Sequence, residues 1–240
     1  MSISLRLSAL AEKSRSWFAA SRSEAEKPIA TGIECVDSLL EGGFPRRGVT
    51  EILVSGAHHG EVQMLIGALS HVPTGVWVLP SKGSAPFAPA LQAAGADPDR
   101  QIFVIPATPA EAFEAAEMAA ASGETAAVVA WLPALNPEAD RIAIRRIALA
   151  AQTTGTAVFL IRPACLACLP LAGSMRVLVT PARDASVRVR SVVRRTWSTA
   201  TCEKVLPVAD FFRTDRPVRR ETVREYSVQP SLFTEPVPAL

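Results

Sequence analysis

Five short runs of nearly continuous apolar residues divide the middle of the chain, and segments with helical spacing lie between them. Strands buried on both faces of a parallel sheet have this composition, because neither face meets water. Strands that alternate with helices indicate βαβ units. The apolar runs are 49–54, 74–79, 101–105, 126–132 and 156–161, and the helical segments are 61–71, 86–95, 109–121 and 137–152. The sequence therefore predicts an α/β fold, a mostly parallel sheet with helices on both faces and run 126–132 in the centre.

The pattern changes after residue 175. Runs 175–180 and 187–195 follow each other with no helix between them, which predicts antiparallel edge strands near the C-terminus. We expect a core over residues 29–200. Residues 1–28 are predicted to form an amphipathic helix and a polar linker. Residues 201–240, in which Pro207 is the first of five prolines, are predicted to form an extended tail that binds a partner.

Composition limits the class of protein. The chain has 240 residues, and 49% are hydrophobic, which excludes a largely disordered chain. Residues 183–240 hold eleven Lys and Arg against seven Asp and Glu, which favours a polyanionic or acidic partner. The four cysteines lack the spacing of a disulfide framework, Arg6 interrupts the first apolar run, and no run is long enough to span a bilayer. We therefore expect a cytoplasmic protein without a membrane contact.

The turn after the first apolar run, VSGAHHGEVQ at residues 54–63, lies where an α/β protein would bind phosphates. A P-loop reads G-x-x-x-x-G-K-[ST], in which Lys contacts the phosphates and Ser or Thr contacts Mg²⁺. Here the frame gives Ser55, Gly60, Glu61 and Val62. A carboxylate replaces the cation and an aliphatic side chain replaces the hydroxyl, so the loop is degenerate.

Residues 31–52, TGIECVDSLLEGGFPRRGVTEI, resemble the entry to the RecA-type ATPase core, and the order of elements up to about residue 165 agrees. Within the RecA relatives the segments VVAWLP and FLIRPA and the basic strand pair resemble the ImuA subfamily, which is SulA-like. This resemblance implies a RecA-like three-layer sandwich. It also implies an accessory protein of the DNA-damage-induced mutagenic cassette, whose partner is the Y-family-polymerase-like ImuB. RecA, the error-prone replicative-type polymerase and DNA are further candidate partners.

ATP hydrolysis in this fold needs Lys and backbone amides for the phosphates, a hydroxyl and a strand-end Asp for Mg²⁺, and a Glu that activates water. The strand that should end in the Asp ends in Trp131, and no carboxylate occurs between Glu124 and Glu138. None occurs between Glu61 and Asp97 either, where the catalytic Glu is expected. We therefore expect no catalytic residue, no nucleotide cofactor and no enzymatic activity.

Two further motifs have ordinary interpretations. His58 and His59 are adjacent in a loop without further ligands, and Cys165 and Cys168 form a single C-x-x-C without a second pair. A solvated turn and packed thiols are favoured over metal or redox sites, so no metal is expected. Trp131 is interpreted as a core residue, with an exposed binding anchor as the alternative.

Arginines near the C-terminus are the candidate contact residues. Alternation places most of Arg188, Arg190, Arg194 and Arg195 on one strand face, where they are either simply solvated or contact DNA or an acidic partner. In the tail, aromatic and Arg side chains of the kind that anchor interfaces are candidates for partner binding. These are Phe211, Phe212, Arg213, Arg216, Arg219 and Arg220.

The leading functional hypothesis is a non-catalytic RecA-like adaptor in SOS-induced, error-prone translesion DNA synthesis that organises an ImuB-type polymerase complex. The alternative is a SulA-type inhibitor that binds the tubulin-like division protein. SulA-type chains are shorter and lack the entry segment 31–48 and the basic tail, which favours the adaptor. An active RecA-like DNA-dependent ATPase is a third hypothesis, against which the missing carboxylates argue. Fold-level kinship alone decides none of these.

Overall fold

A computed structural model describes most of the predicted core. The described residues are 28–56, 61–70, 72, 74–80, 86, 88–93, 95–184, 186–194 and 199–207. The predicted N-terminal helix, His58, His59, Gly60, Arg195 and the tail arginines and phenylalanines lie outside them.

One sheet of eight strands organises the described chain, in the order β3-β2-β4-β5-β1-β6-β7-β8. The strands β1 to β6 run parallel, β7 is antiparallel to β6, and β8 is antiparallel to β7. β4 pairs with β2 and β5, so the run predicted to be central is interior. The strands are β1 (Gly48–Val54), β2 (Gly75–Val78), β3 (Gln101–Val104), β4 (Ala127–Trp131), β5 (Ala157–Pro163), β6 (Met175–Pro181), β7 (Ser186–Arg194) and β8 (Thr199–Pro207).

The helices begin and end at residues suited to those positions. Thr108 and Asn136 cap the two longest helices through hydrogen bonds from the amides of Glu111 and Ala139, and each cap is followed by a proline. Gly155 ends the last helix at φ 81°. The helices are α1 (Glu34–Leu39), α2 (Glu61–Leu69), α3 (Ala88–Ala93), α4 (Pro109–Ala121) and α5 (Pro137–Thr154), with 3₁₀ turns at Pro98–Arg100 and Ala164–Cys168.

Each face of the sheet has its own apolar core. On one face α1, α2 and α3 contribute side chains such as Val36, Leu65 and Leu91, which pack with Phe159 of β5. On the other face α4 and α5 cover the sheet through residues such as Ala116 and Ile147. Helices on both faces of a mostly parallel sheet confirm the predicted fold class, a three-layer architecture consistent with a RecA-like sandwich.

The motif that carries the RecA resemblance has a structural role in the entry segment. Both carboxylate oxygens of Asp37 accept hydrogen bonds, one from the Thr31 amide at 2.7 Å and hydroxyl at 2.8 Å, the other from the Gly32 amide at 3.1 Å. Gly43 has φ 131°, and a Cβ there would overlap the Ile29 carbonyl. A Cβ on Gly67 of α2 would overlap the Thr31 carbonyl in the same way. These residues hold the entry segment against α2.

The boundary predicted between core and tail is wrong by several residues. β8 runs to Pro207 and pairs along its length with β7, and Leu206 is 2% exposed. Residues 201–207 are therefore a strand of the sheet and not part of an extended tail. The strand was not recognised because apolar and polar residues do not alternate clearly in TCEKV, residues 201–205, which are exposed. Leu206 marks the buried face of β8.

Candidate functional site

A cleft lies at the carboxyl ends of the parallel strands, where α/β proteins usually bind their ligands. It has a volume of about 600 Å³. Its lining comes from the turn after β1, the start of α2, the residues that follow β2 and β4, the end of β5, and the segment that leads into α4. This is the position predicted for the degenerate phosphate loop, so Ser55, Glu61 and Trp131 do converge on one site.

Glu61 begins α2 at this cleft and is 4% exposed, and Val62 beside it is half-buried. A buried carboxylate at a helix N-terminus is favoured by the helix dipole. It repels a polyphosphate, however, which a P-loop would bind with a lysine at this position. Ser55 and Gly56 are exposed at the end of β1. The described part of the loop thus offers a negative charge where phosphate binding needs a positive one.

Trp131 ends β4 at the position expected for a Mg²⁺-binding carboxylate. Its ring is half-buried and stacks on Trp77 of β2, with centroids 6.3 Å apart and planes inclined by 24°. Trp77 stacks in turn on Phe103 of β3 at 6.2 Å, and its indole N–H donates to Gln101 Oε1 at 3.0 Å. Trp131 therefore packs on the core, as interpreted, and also lines the cleft, while its use as a binding anchor stays a prediction.

Arg162, at the end of β5, is the cationic residue among the described ones that line the cleft, and it is 2% exposed. Its Nη1 donates to Asp140 Oδ2 at 2.9 Å, and its Nη2 donates to Asp140 Oδ1 and to the Pro133 carbonyl. Its Nη1 also lies 3.5 Å from Glu51 Oε2. Arg162 is thus held by two carboxylates through its terminal nitrogens, while its buried Nε has no hydrogen-bond partner among the described residues.

The ion pair of Arg162 and Asp140 is part of a buried network that includes residues of the neighbouring strands β5, β1 and β6. Arg176 of β6 donates from Nη2 to both carboxylate oxygens of Glu51 of β1, at 3.0 and 3.2 Å. Its Nη1 donates to the Leu169 carbonyl at 2.6 Å, which ties the segment after β5 to the sheet. The network joins Asp140, Arg162, Glu51 and Arg176, whose formal charges cancel. The cavity of about 370 Å³ beside it therefore has no net charge from these residues to attract an ion.

The sequence interpretation did not identify this network as part of the site. A signal existed, because Glu51 and Arg176 interrupt runs that are otherwise mostly apolar, and Arg162 directly follows another such run. Charges at such positions have to be paired. Which of them pair could not be read from the sequence, since the pairing depends on the strand order.

The basic strand is β7. Arg188 and Arg190 are exposed, whereas Val187, Val189 and Ser191 are buried, which agrees with the predicted alternation. Arg188 Nε lies 3.4 Å from Glu203 Oε1 on β8, and both side chains are about half exposed. Arg194 ends the strand, and Arg195 lies outside the described residues. Of the helices that the structure describes, none covers this face of β7 in the way that α4 and α5 cover β4 and β5.

Of the candidate metal and redox residues the structure describes Cys165 and Cys168, and the prediction that their thiols are packed is wrong. Cys165 and Cys168 are exposed on the 3₁₀ turn after β5, and the Cys168 thiol donates to the Cys165 carbonyl. Among the described residues no group of three or more His, Cys, Asp and Glu side chains could hold a metal ion. Over the same residues, no helix combines the length and apolar character that a membrane crossing requires.

The chain matches no protein-family model, and no curated protein is significantly similar to it. The functional interpretation therefore rests on the residues and the geometry described above.

Proposed function

We propose that this protein is a non-catalytic RecA-like adaptor in SOS-induced, error-prone translesion DNA synthesis, which organises an ImuB-type, Y-family-polymerase-like complex. The observation that supports this most is the composition of the cleft at the carboxyl edge of the sheet. In a RecA-like ATPase this cleft would hold Mg·ATP, whereas here Glu61, Trp131 and five prolines line it.

Two requirements of phosphoryl transfer lack their usual residues in the described part of the cleft. The phosphates need a free cation, but Arg162 is engaged by Asp140 and Glu51. Mg²⁺ needs a carboxylate at the end of β4, but an indole ring is there. Releasing Arg162 for a ligand would leave Asp140 buried without its partner, which costs several kcal/mol. A fold that retains the core and lacks this chemistry is suited to binding rather than catalysis.

The proposal names two candidate sets of partner-contact residues. The exposed arginines Arg188 and Arg190 of β7 are candidates for contacts to DNA or to an acidic protein surface, with Arg194 and Arg195 beside them in sequence. The segment after β8 combines aromatic and Arg residues, which are enriched at interface anchors. We assign the ImuB-type partner to this segment, with RecA, the error-prone replicative-type polymerase and DNA as further partners.

Affinity purification of the full chain from cells treated with a DNA-damaging agent tests the proposal. The expected co-purifying protein is an ImuB-type polymerase homologue, and the purified pair should bind without nucleotide. Substitution of Phe211 and Phe212 by Asp should weaken that binding. The control Lys204→Glu, at an exposed position of β8, should not. Capture of the tubulin-like division protein, with division arrest on overproduction, would support the SulA-type alternative and contradict the proposal.

A further inference from the structure

The cleft at the carboxyl edge has a chemistry that selects one class of ligand. Five prolines line it together with Trp131. Its two described charged residues, Glu61 and Arg162, are both buried, and Arg162 is paired. The Thr108 hydroxyl oxygen accepts a hydrogen bond from the Glu111 amide in the cap of α4. The five prolines are Pro80, Pro106, Pro109, Pro133 and Pro163.

A cleft of this kind fits an uncharged apolar peptide better than a nucleotide. Its volume of about 600 Å³ lies within the range of about 300 to 1,000 Å³ of natural ligand sites. Proline rings and an indole face offer flat apolar surface against which aliphatic and aromatic side chains pack. The exposed apolar surface continues to Ile105, which is 45% exposed and directly precedes Pro106.

The direction of β8 brings the rest of the chain to the same edge. β8 is antiparallel to β7, which is antiparallel to β6, so β8 runs in the direction of β1 to β6. Its last residue, Pro207, therefore lies at the edge of the sheet where the cleft opens. Five strand spacings of about 4.8 Å separate β8 from β4, which places Trp131 roughly 24 Å away.

The sequence after Pro207 ends in a segment with the required chemistry. Residues 226–240, YSVQPSLFTEPVPAL, contain one charged side chain, Glu235, and their two largest adjacent apolar residues are Leu232 and Phe233. Phe212 is five residues past Pro207 and reaches at most about 18 Å, whereas Leu232 is 25 residues past it and reaches more than about 80 Å. The distal apolar pair therefore reaches the cleft next to Trp131 without a fully extended chain.

We propose that residues 226–240 bind in this cleft of their own chain, with Leu232 and Phe233 packed against Trp131 and the surrounding prolines. Tethering gives such a segment an effective concentration of about 1 mM, so an affinity of about 100 μM for the free peptide would keep the cleft about 90% occupied. The proposal is independent of the adaptor function, which uses Phe211, Phe212 and the arginines that follow them.

The test observes the Trp131 indole N–H resonance in the full chain, assigned through Trp131→Phe. The double variant Leu232→Asp/Phe233→Asp should shift this resonance, and the matched variant Phe211→Asp/Phe212→Asp should leave it unchanged. Added synthetic peptide 226–240 should restore the original position in the first variant. The same two substitutions in the peptide should weaken its binding at least tenfold.

Two results would overturn the proposal. One is an unchanged Trp131 resonance in the Leu232→Asp/Phe233→Asp variant, which would mean that the segment does not occupy the cleft. The other is a resonance that moves between about 10 and 500 μM protein, because a second copy would then supply the peptide. Neither result bears on binding of the polymerase-like partner, which is measured separately.

Discussion

Replacing Asp140 by asparagine should destabilise the protein strongly, although the change alters only one charge and hardly any volume. In the native protein Asp140 accepts hydrogen bonds from both terminal nitrogens of Arg162, whose side chain is 1% exposed. After the substitution Glu51, 3.5 Å away, is the carboxylate left beside Arg162 in the described chain, and the Pro133 carbonyl remains as an uncharged acceptor. Because Glu51 also pairs with Arg176, one carboxylate then faces two buried guanidinium groups.

The expected loss is about 3–5 kcal/mol of the free energy of unfolding, as measured for buried ion pairs that lose one partner. For a chain of this size each kcal/mol lowers the midpoint of thermal unfolding by about 2–4 °C, so the shift should be about 6–20 °C. A typical domain has only about 5–15 kcal/mol to lose. The variant should therefore be near the limit of folding at 37 °C.

Urea denaturation followed by circular dichroism measures this loss, with Glu117→Gln as the matched control. Glu117 pairs with Arg146 at 2.9 Å, but the Arg146 side chain is 65% exposed. Its loss should cost less than about 1 kcal/mol. The double variant Arg162→Met/Asp140→Leu should lose less than the sum of its single changes, because it leaves no unpaired charge at this pair. If Asp140→Asn costs no more than Glu117→Gln, the network does not contribute as described.

Three further outcomes follow from the geometry. A chain that ends after Pro207 should unfold cooperatively and no longer bind the proposed polymerase-like partner. A chain that ends after Cys202 should be destabilised by several kcal/mol, because buried Leu206 is removed. Equal stability of the two chains in urea would contradict the role of β8. Arg188→Glu/Arg190→Glu should lower stability by about 1 kcal/mol, because the new carboxylates lie beside Glu203, and should weaken binding to DNA or an acidic partner. Salt titration of the wild type should show the same loss of binding, while unchanged binding would remove β7 from the interface. Glu61→Lys/Val62→Thr should not produce an ATPase in a phosphate-release assay, because Trp131 remains where the Mg²⁺ ligand is needed, and measurable turnover would refute this.

Much of the fold could be predicted because the local signals agree with the global arrangement. The strands β1 to β7 lie within about two residues of the predicted apolar runs, and α4 has its predicted bounds because Pro109 marks its first turn. α1 was missed because six residues are too short for a helical period to show. β8 was missed because it is an edge strand with mostly polar, exposed residues from Thr201 to Val205.

The site could be predicted only in part. The sequence order placed Ser55 and Trp131 at strand ends and Glu61 at the start of the helix after β1, and parallel strands bring their carboxyl ends to one edge, so these residues lie at one site. The buried network could not be predicted, because Glu51 and Arg176 are 125 residues apart and meet only since β6 lies next to β1. The proline lining of the cleft could not be predicted either, because the five prolines come from four segments that are far apart in the sequence.

Calorimetric titration of the full wild-type chain with Mg·ATP tests the central claim most directly. Glu61 in the first turn of α2, the Trp131 ring at the end of β4 and the paired Arg162 all disfavour a bound polyphosphate. We expect no heat of binding with nucleotide up to about 1 mM, which corresponds to a binding free energy weaker than about −4 kcal/mol. Saturable binding with a micromolar Kd would contradict the claim that this RecA-like cleft no longer serves a nucleotide.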